Sequence, residues 1–290
     1  MPNKITPFKK YIDLLDEVYK EDSKTAILDG DMSLVQMGAN ANEIVIPKLS
    51  MDGLADYSRN SGYVDGEVAL TNETVKFNYD RGRAFSIDNM DNEETAGVAF
   101  GKLSSEFVRT KVIPEMDAFR FATYSGIAGI SKVSSGAVLS TGEAVIAALR
   151  AAATKMDEDE VPMENRILFI TPTLHGMIQD LDTTKSKEVL NLFAEVVRVP
   201  QSRFYTAVSL MNGTSENELA GGYKKAEDAA DINFLIVHKA AVIQYTKHIV
   251  NKVITPEENQ KADAWKFPYR AYGLADAYEN KVAGIYLHHK

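Results

Sequence analysis

The sequence contains no cysteine among its 290 residues. Disulfides, thiolate nucleophiles and zinc sites with cysteine ligands are therefore excluded. Long apolar runs are also missing: no segment approaches the ~18 apolar residues of a membrane span, and the N-terminus has no apolar signal region. We therefore expect a cytoplasmic protein with no membrane partner, whose stability comes from packing and association.

Basic residues are outnumbered, with 32 Lys and Arg against 41 Asp and Glu and a net charge of −9. Proteins dedicated to nucleic acid place many cations on phosphates, so this balance argues against such a role but leaves loose, unspecific contact open. Hydrophobic residues make up 45% and charged residues 25%, which is typical of a folded globular chain. Its length allows one large domain or two ordinary ones.

The stretch from Ile44 to Asp91 predicts a long extended hairpin. It is strand-like at both ends and has a polar middle rich in Gly, Asp, Asn and Ser. In its second half apolar residues alternate with polar ones, at Val75, Phe77, Tyr79, Phe85 and Ile87. An isolated two-stranded ribbon is marginal in water, so this hairpin needs its own domain or another copy to lie on.

Helical spacing predicts two elements that flank the hairpin. Apolar residues between Phe8 and Tyr19 indicate an amphipathic helix, packed either on its own domain or on a neighbouring subunit. A long helix is predicted from about Glu93 to Thr123, and Pro114 should kink or break it.

The middle third predicts a mixed α/β unit. Ser140 and Glu143 form a capping-box pattern before a helix. A buried strand, Ile167 to Ile170, leads into a helix capped by Thr171. At the C-terminus, two strand-like runs on either side of residues 279–281 predict a hairpin that closes a sheet begun much earlier.

Few residues suggest chemistry. His175 follows a strand at the start of a helix, where catalytic groups often lie, but no triad partner or phosphate-binding glycine motif accompanies it. We therefore favour a structural role for His175. His288 and His289 are adjacent on a strand and point to opposite faces, so we interpret them as a polar tail rather than metal ligands. No cofactor, catalytic residue or metal is expected.

The order of these parts resembles the major capsid proteins of tailed bacteriophages, which have the Hong Kong 97-like fold. The resemblance spans nearly the whole chain and includes "KVIPEMDAFRFATYSG", "RILFITPTLHGMI" and "DAWKFPYRAYGLADAYENKVAGIYLHH". It implies an α+β fold with an N-terminal arm over residues 1–43 and an extended hairpin, the E-loop, over 44–91. A P domain with a long spine helix would cover 92–139, an α/β A domain 140–246, and return strands completing the P domain 247–290.

The resemblance implies a structural subunit of an icosahedral phage head, not an enzyme. Such subunits assemble in the bacterial host cytoplasm into hexamers and pentamers of the virion capsid, and they enclose double-stranded DNA through non-specific contacts. Because the sequence begins almost at the arm, we expect a separate scaffolding protein, with a portal protein as a further partner. Two alternatives stay open: an encapsulin-like nanocompartment shell, and an α/β enzyme using His175.

The candidate subunit-interface residues all lie within the predicted E-loop. Tyr57, Arg59 and Tyr63 at its tip are expected to dock on a neighbour's spine helix or P domain. The other candidates are Lys76, Arg81 and Arg83, the last two in an otherwise apolar row where they form either a local salt bridge or a contact with another subunit. Some capsid proteins form Lys–Asn crosslinks, but neither Lys48 nor Lys76 matches a crosslinking pattern.

Overall fold

The computed structural model describes residues 23–30, 36–37, 43–94, 106–133, 135–181, 184–251 and 254–290. The helix predicted between Phe8 and Tyr19, and residues 95–105 of the predicted long helix, lie outside them. The first seven strands are β1 (Gln36–Met37), β2 (Glu43–Met51), β3 (Val68–Lys76), β4 (Tyr79–Asp88), β5 (Ser131–Lys132), β6 (Arg166–Ile170) and β7 (Glu195–Arg198). The others are β8 (Val208–Leu210), β9 (Tyr223–Lys225), β10 (Ile232–His238), β11 (Val242–Asn251), β12 (Ala264–Ala277) and β13 (Ile285–His289).

Five α-helices lie in the described ranges: α1 (Asn89–Glu94), α2 (Ile113–Gly126), α3 (Gly142–Glu158), α4 (Pro172–Asp180) and α5 (Thr184–Leu190). A π-helical segment, Val108–Val112, runs directly into α2. The change to α geometry comes one residue before Pro114, which has no N–H to donate. The helix is not broken at this proline, and a kink there stays a prediction.

The centre of the molecule is a five-stranded sheet with the order β5-β13-β10-β6-β7. Its inner strands β6 and β10 are buried on both faces, and their alternate residues point to opposite sides. Leu168 and Ile170 pack with the helix residues Val145 and Leu149. Ile167 and Phe169 belong to the opposite cluster, which contains Phe121 and Tyr124 of α2. Continuous apolar runs therefore form these strands because helices cover both faces.

A second sheet has the order β11-β12-β4 and packs against the helical segment that contains α2. Phe267 and Tyr269 of β12 form a cluster with Tyr79 and Val112. The third sheet is the hairpin of β2 and β3, with β1 beside β2. A short ribbon of β8 and β9 lies within the Gly- and Asn-rich stretch between residues 208 and 225.

The predicted long hairpin forms, but it is shorter than its apolar pattern suggested. β2 pairs antiparallel with β3 from Glu43↔Lys76 to Met51↔Val68. β4, which the sequence placed in the second arm, pairs instead with β12. The alternation of apolar and polar residues continues without a break through Phe77 and Asn78. It therefore does not show that the chain leaves one sheet after β3 and joins another at β4.

The predicted C-terminal hairpin is wrong. β12 pairs with β11 and β4, whereas β13 pairs with β10 and β5 in the central sheet. A 3-10 segment, Glu279–Gly284, carries the chain from one sheet to the other. The last strand therefore completes the α/β unit rather than the sheet that contains β4.

Two details at helix starts also differ from the sequence expectation. Thr141, not Ser140, caps α3, and its hydroxyl accepts a hydrogen bond from the Ala144 amide at 3.3 Å. Thr171 occupies the N-cap position of α4, but its side chain accepts no capping hydrogen bond there. Ser140 and Thr141 are adjacent and both residue types cap helices, so the sequence pattern alone does not decide which of them is the cap.

Candidate assembly surface

The hairpin of β2 and β3 is fixed at its base and exposed toward its tip. Ile44 and Val75 pack in a cluster with Ile243, Tyr245 and Leu274 of the second sheet. Farther along the hairpin, Lys48 Nζ lies 2.9 Å from Glu279 Oε2. Because 30% of the Lys48 side chain and 71% of the Glu279 side chain are exposed, this ion pair should contribute little to stability.

Beyond its base, the hairpin exposes an unusual amount of apolar surface. Eight of the twelve large apolar side chains that are exposed in the described part of the chain belong to it: Leu49, Met51, Leu54, Tyr57, Tyr63, Val64, Val68 and Leu70. Soluble monomers seldom expose a contiguous patch of this kind without using it for binding. The hairpin is therefore the strongest candidate for a contact surface.

The tip, residues 52–67, has its own local structure. The Asp52 amide donates to the Glu67 carbonyl at 3.1 Å, and an isolated bridge joins Ser58 and Gly62 farther out. The rings of Tyr57 and Tyr63 lie 4.9 Å apart, with 60% and 88% of their residue surface exposed. The predicted tip residues Tyr57 and Tyr63 are thus brought together, and Arg59 is exposed between them.

Arg81 and Arg83 make contacts within the chain. Arg81 Nε donates to Glu115 Oε1 at 2.7 Å, which is the local salt bridge that the sequence left as one of two alternatives. Arg83 donates through Nη1 and Nη2 to the carbonyls of Ala220 and Leu219, both at 3.0 Å. Lys76 remains mostly exposed, and its Nζ lies 3.9 Å from Glu43 Oε1.

Arg81 and Arg83 border a cleft of about 1300 Å³ that no local sequence pattern predicts. Its walls are β4, the π-helical segment Val108–Val112 with the start of α2, and the loop between residues 200 and 223. Burial raises the pKa of Tyr223, on the third wall, to about 12, so this phenol stays neutral at physiological pH.

A buried polar network holds residues 23–30 against α2. Asp117 is fully buried and accepts hydrogen bonds from Ser23 Oγ at 2.6 Å, from the Lys24 amide at 2.9 Å and from Thr25 Oγ1 at 2.7 Å. The Thr25 amide at 3.2 Å and Arg203 Nη1 at 3.1 Å also donate to this carboxylate. Sequence reasoning missed this network because its members are separated by up to about 180 positions and follow no local pattern.

The structure describes the surroundings of His175 and His288. Burial lowers the pKa of His175, and the nearby positive charge of Arg198 lowers this pKa further. The general base of a catalytic triad is instead paired with a carboxylate, so the surroundings of His175 differ from those of a triad histidine. The interpretation of His288 as part of a polar tail is wrong. Its ring is buried, stacks on Phe234 at 4.9 Å and accepts a hydrogen bond at Nδ1 from Asn233 Nδ2 at 3.1 Å.

The described ranges contain neither a metal-binding cluster nor a membrane-spanning helix. No group of three or more His, Asp or Glu side chains there is arranged to hold a metal ion. No helix in the same ranges is long and apolar enough to cross a membrane.

The fold resembles solved phage structures over almost the whole chain. A capsid structure of cyanophage P-SCSP1u has a TM-score of 0.61 at 11% identity, covering 99% of this chain and 92% of that chain. The mature capsid asymmetric unit of bacteriophage PhiM1 has a TM-score of 0.61 at 11% identity, with coverages of 87% and 83%.

The chain has the fold of phage capsid proteins. A virus-like particle from Pyrococcus furiosus matches this capsid fold with a TM-score of 0.53 at 9% identity, covering 83% of this chain and 86% of that chain. Comparison of the sequence with protein-family models and with curated proteins finds no match. The likeness therefore lies in the three-dimensional arrangement, at only 9–11% sequence identity.

Proposed function

We propose that the chain is the major structural subunit of an icosahedral phage head. It self-associates into hexamers and pentamers with the Hong Kong 97-like arrangement, and the shell encloses double-stranded DNA. The observation that carries the proposal is the exposed apolar hairpin on a chain with the fold of phage capsid proteins. A surface of this kind is costly for a monomer and useful to a subunit that is surrounded by copies of itself.

The arrangement of the hairpin supports this role. Its base is packed on the second sheet through Ile44 and Val75, while the part beyond Lys48 is exposed. A neighbour's spine helix or P domain, here the part built on α2 and the second sheet, would cover the exposed part. Large, apolar interfaces of more than about 2,000 Å² are typical of obligate assemblies.

The partners follow from the same role. A separate scaffolding protein and a portal protein would act during assembly in the host cytoplasm, and the finished subunit would belong to the virion. With a net charge of −9, the chain would contact packaged DNA loosely rather than through a dedicated basic surface.

A nanocompartment shell that encloses protein cargo is the second candidate. The likeness to the Pyrococcus furiosus virus-like particle favours it, although the TM-score of 0.53 is below the 0.61 of the phage capsids. The contents of native particles separate the two. Particles purified from infected cells, treated with nuclease and then opened should release protected double-stranded DNA, whereas particles filled with one enzyme and no DNA would contradict the phage-head proposal.

A further inference from the structure

Two cations face each other across the cleft beside β4. Every second residue of a strand lies on one face, and so does about every fourth residue of a helix. Contacts between β4 and the helical segment that ends in α2 follow this spacing: Tyr79 with Phe119 (ring centroids 5.0 Å apart), Arg81 with Glu115 (2.7 Å) and Phe85 with Phe107 (ring centroids 4.8 Å apart). The same register places Arg83 opposite Lys111, and both residues line the cleft.

Neither of these two cations is neutralised by a carboxylate in the described part of the chain. Arg83 donates to two backbone carbonyls, which carry no net charge, and both Arg83 and Lys111 are exposed. The other charged residues of the lining, Arg81, Arg203, Glu106 and Glu115, all form ion pairs. A cleft whose uncompensated charge is of one sign attracts ions of the opposite sign, so this one favours an anion.

An aromatic surface lies beside the two cations. The ring centroid of Phe107 is 4.8 Å from that of Phe85 and 5.8 Å from that of Tyr269, and all three residues line the cleft. Ligand pockets typically combine an apolar lining with a few charged groups that fix orientation, in volumes of ~300–1,000 Å³. The cleft, at about 1300 Å³, has room for an apolar chain or ring system next to the anion site.

The remaining wall, formed by the loop between residues 200 and 223, is held in place by its own hydrogen bonds. Arg81 Nη2 donates to the Gly222 carbonyl at 3.3 Å, and the Tyr223 hydroxyl donates to the Ser202 carbonyl at 2.8 Å. The cleft therefore exists before anything binds, and a preformed site loses little conformational entropy when it takes a ligand.

We propose that the cleft binds an amphipathic organic anion, such as a fatty acid or an aromatic carboxylate. The anionic group lies between Arg83 and Lys111, and the apolar body rests on the rings of Phe85, Phe107 and Tyr269. The site is complete within one subunit, so the inference goes beyond the proposed function and does not depend on it.

Two fluorescent probes with the same rings but different charge test the site on the purified chain. Anilinonaphthalene sulfonate is anionic, whereas N-phenyl-1-naphthylamine lacks the sulfonate and is neutral. Lys111→Gln should weaken binding of the anionic probe about fivefold and leave the neutral probe unchanged. Lys132→Gln, an exposed lysine outside the cleft, is the matched control and should change neither. Equal affinities for the anionic probe in the two variants would overturn the inference.

A second pair of variants locates the probes, which can also bind to the exposed hairpin. Ser202→Trp fills the cleft from an exposed position and should weaken binding of both probes, whereas Ser140→Trp, exposed outside the cleft, should not. Unchanged binding in Ser202→Trp would overturn the inference.

Competition identifies the class of ligand. Oleate should displace the anionic probe from the wild-type chain, and inorganic phosphate should not. Displacement by phosphate as effective as that by oleate would overturn the amphipathic ligand in favour of a simple anion. Probe binding as expected in a chain that forms no capsomers would contradict the proposed function and leave this inference standing.

Discussion

Arg203 Nη1 lies 3.1 Å from Asp117 Oδ2, and both side chains are buried, with 4% and 0% of their side-chain surface exposed. Asp117 lies on α2, whereas Arg203 follows β7 in the α/β unit. The same carboxylate binds the backbone of residues 24 and 25. One buried ion pair thus joins three parts of the chain that are distant in sequence.

Removing the carboxylate should destabilise the folded subunit strongly. Asp117→Ala would leave Arg203 buried without this partner, and breaking a buried pair in this way costs about 3–5 kcal/mol. Chemical denaturation of the unassembled subunit measures the loss. Asp80→Ala is the matched control, because the Asp80–Arg270 pair is exposed on both sides and should contribute little. Equal losses in the two variants would contradict a special role for the buried pair.

Two carboxylates near the hairpin base should make stability depend on pH. Burial raises the pKa of Glu73 and of Asp276, and the negative charge of Glu279 raises both further. A raised pKa means that the folded state binds protons more tightly than the unfolded state. The contribution to stability is therefore fully present below the ordinary carboxyl pKa and is lost as the pH rises through the raised value.

The variant Glu73→Gln/Asp276→Asn should consequently melt at a higher temperature than the wild type at pH 7. The gain should shrink toward pH 4, where the native carboxyls are protonated. Asp65→Asn, in the exposed tip, serves as control and should leave the melting temperature unchanged at both values. A gain of the same size at pH 4 and pH 7 would show that charge is not its cause.

Gly142 is required by a close approach of two helices. A Cβ at this first residue of α3 would lie 2.3 Å from the Met177 carbonyl oxygen of α4. Gly142→Ala should therefore lower the free energy of unfolding by about 1–3 kcal/mol. Gly176, inside α4, has open space around its Cβ position, so Gly176→Ala should stabilise by about 0.5–1 kcal/mol. Urea unfolding of both variants checks the opposite signs.

Deleting residues 55–66 should block assembly without unfolding the subunit. Most of these residues are exposed, and the hydrogen bond between Asp52 and Glu67 can still close the shortened hairpin. Circular dichroism should remain that of the wild type, while electron microscopy should show no shells. Met163→Ser removes an exposed apolar side chain elsewhere and should assemble normally. Normal shells from the deletion would refute a role for the tip.

Local patterns in the sequence predicted the elements better than their partners. The buried strand β6, the helix after it and the exposed hairpin could be predicted from apolar periodicity and turn residues. The sheet that each strand joins could not, because β3 and β4 form one alternating pattern and β12 and β13 look like neighbours. Strand pairing is decided by contacts such as Tyr79↔Gly273, nearly 200 positions apart.

The candidate surface was predicted in part. The resemblance predicts Tyr57, Arg59 and Tyr63 at the tip of the E-loop, and the structure places the rings of both tyrosines together there. Arg81 and Arg83 were chosen because charge is unusual in an apolar row, and the structure shows their partners to be Glu115 and the carbonyls of residues 219 and 220. The cleft that they border arises from three distant segments, so no local pattern indicates it.

The most direct test of the account is the molar mass of the purified wild-type chain in solution. Size-exclusion chromatography with light scattering over a range of concentrations, and electron microscopy of any heavy fraction, give this mass and the particle shape. The account predicts hexamers, pentamers or hollow shells. A strict monomer at every concentration, even with a crowding agent, would contradict it.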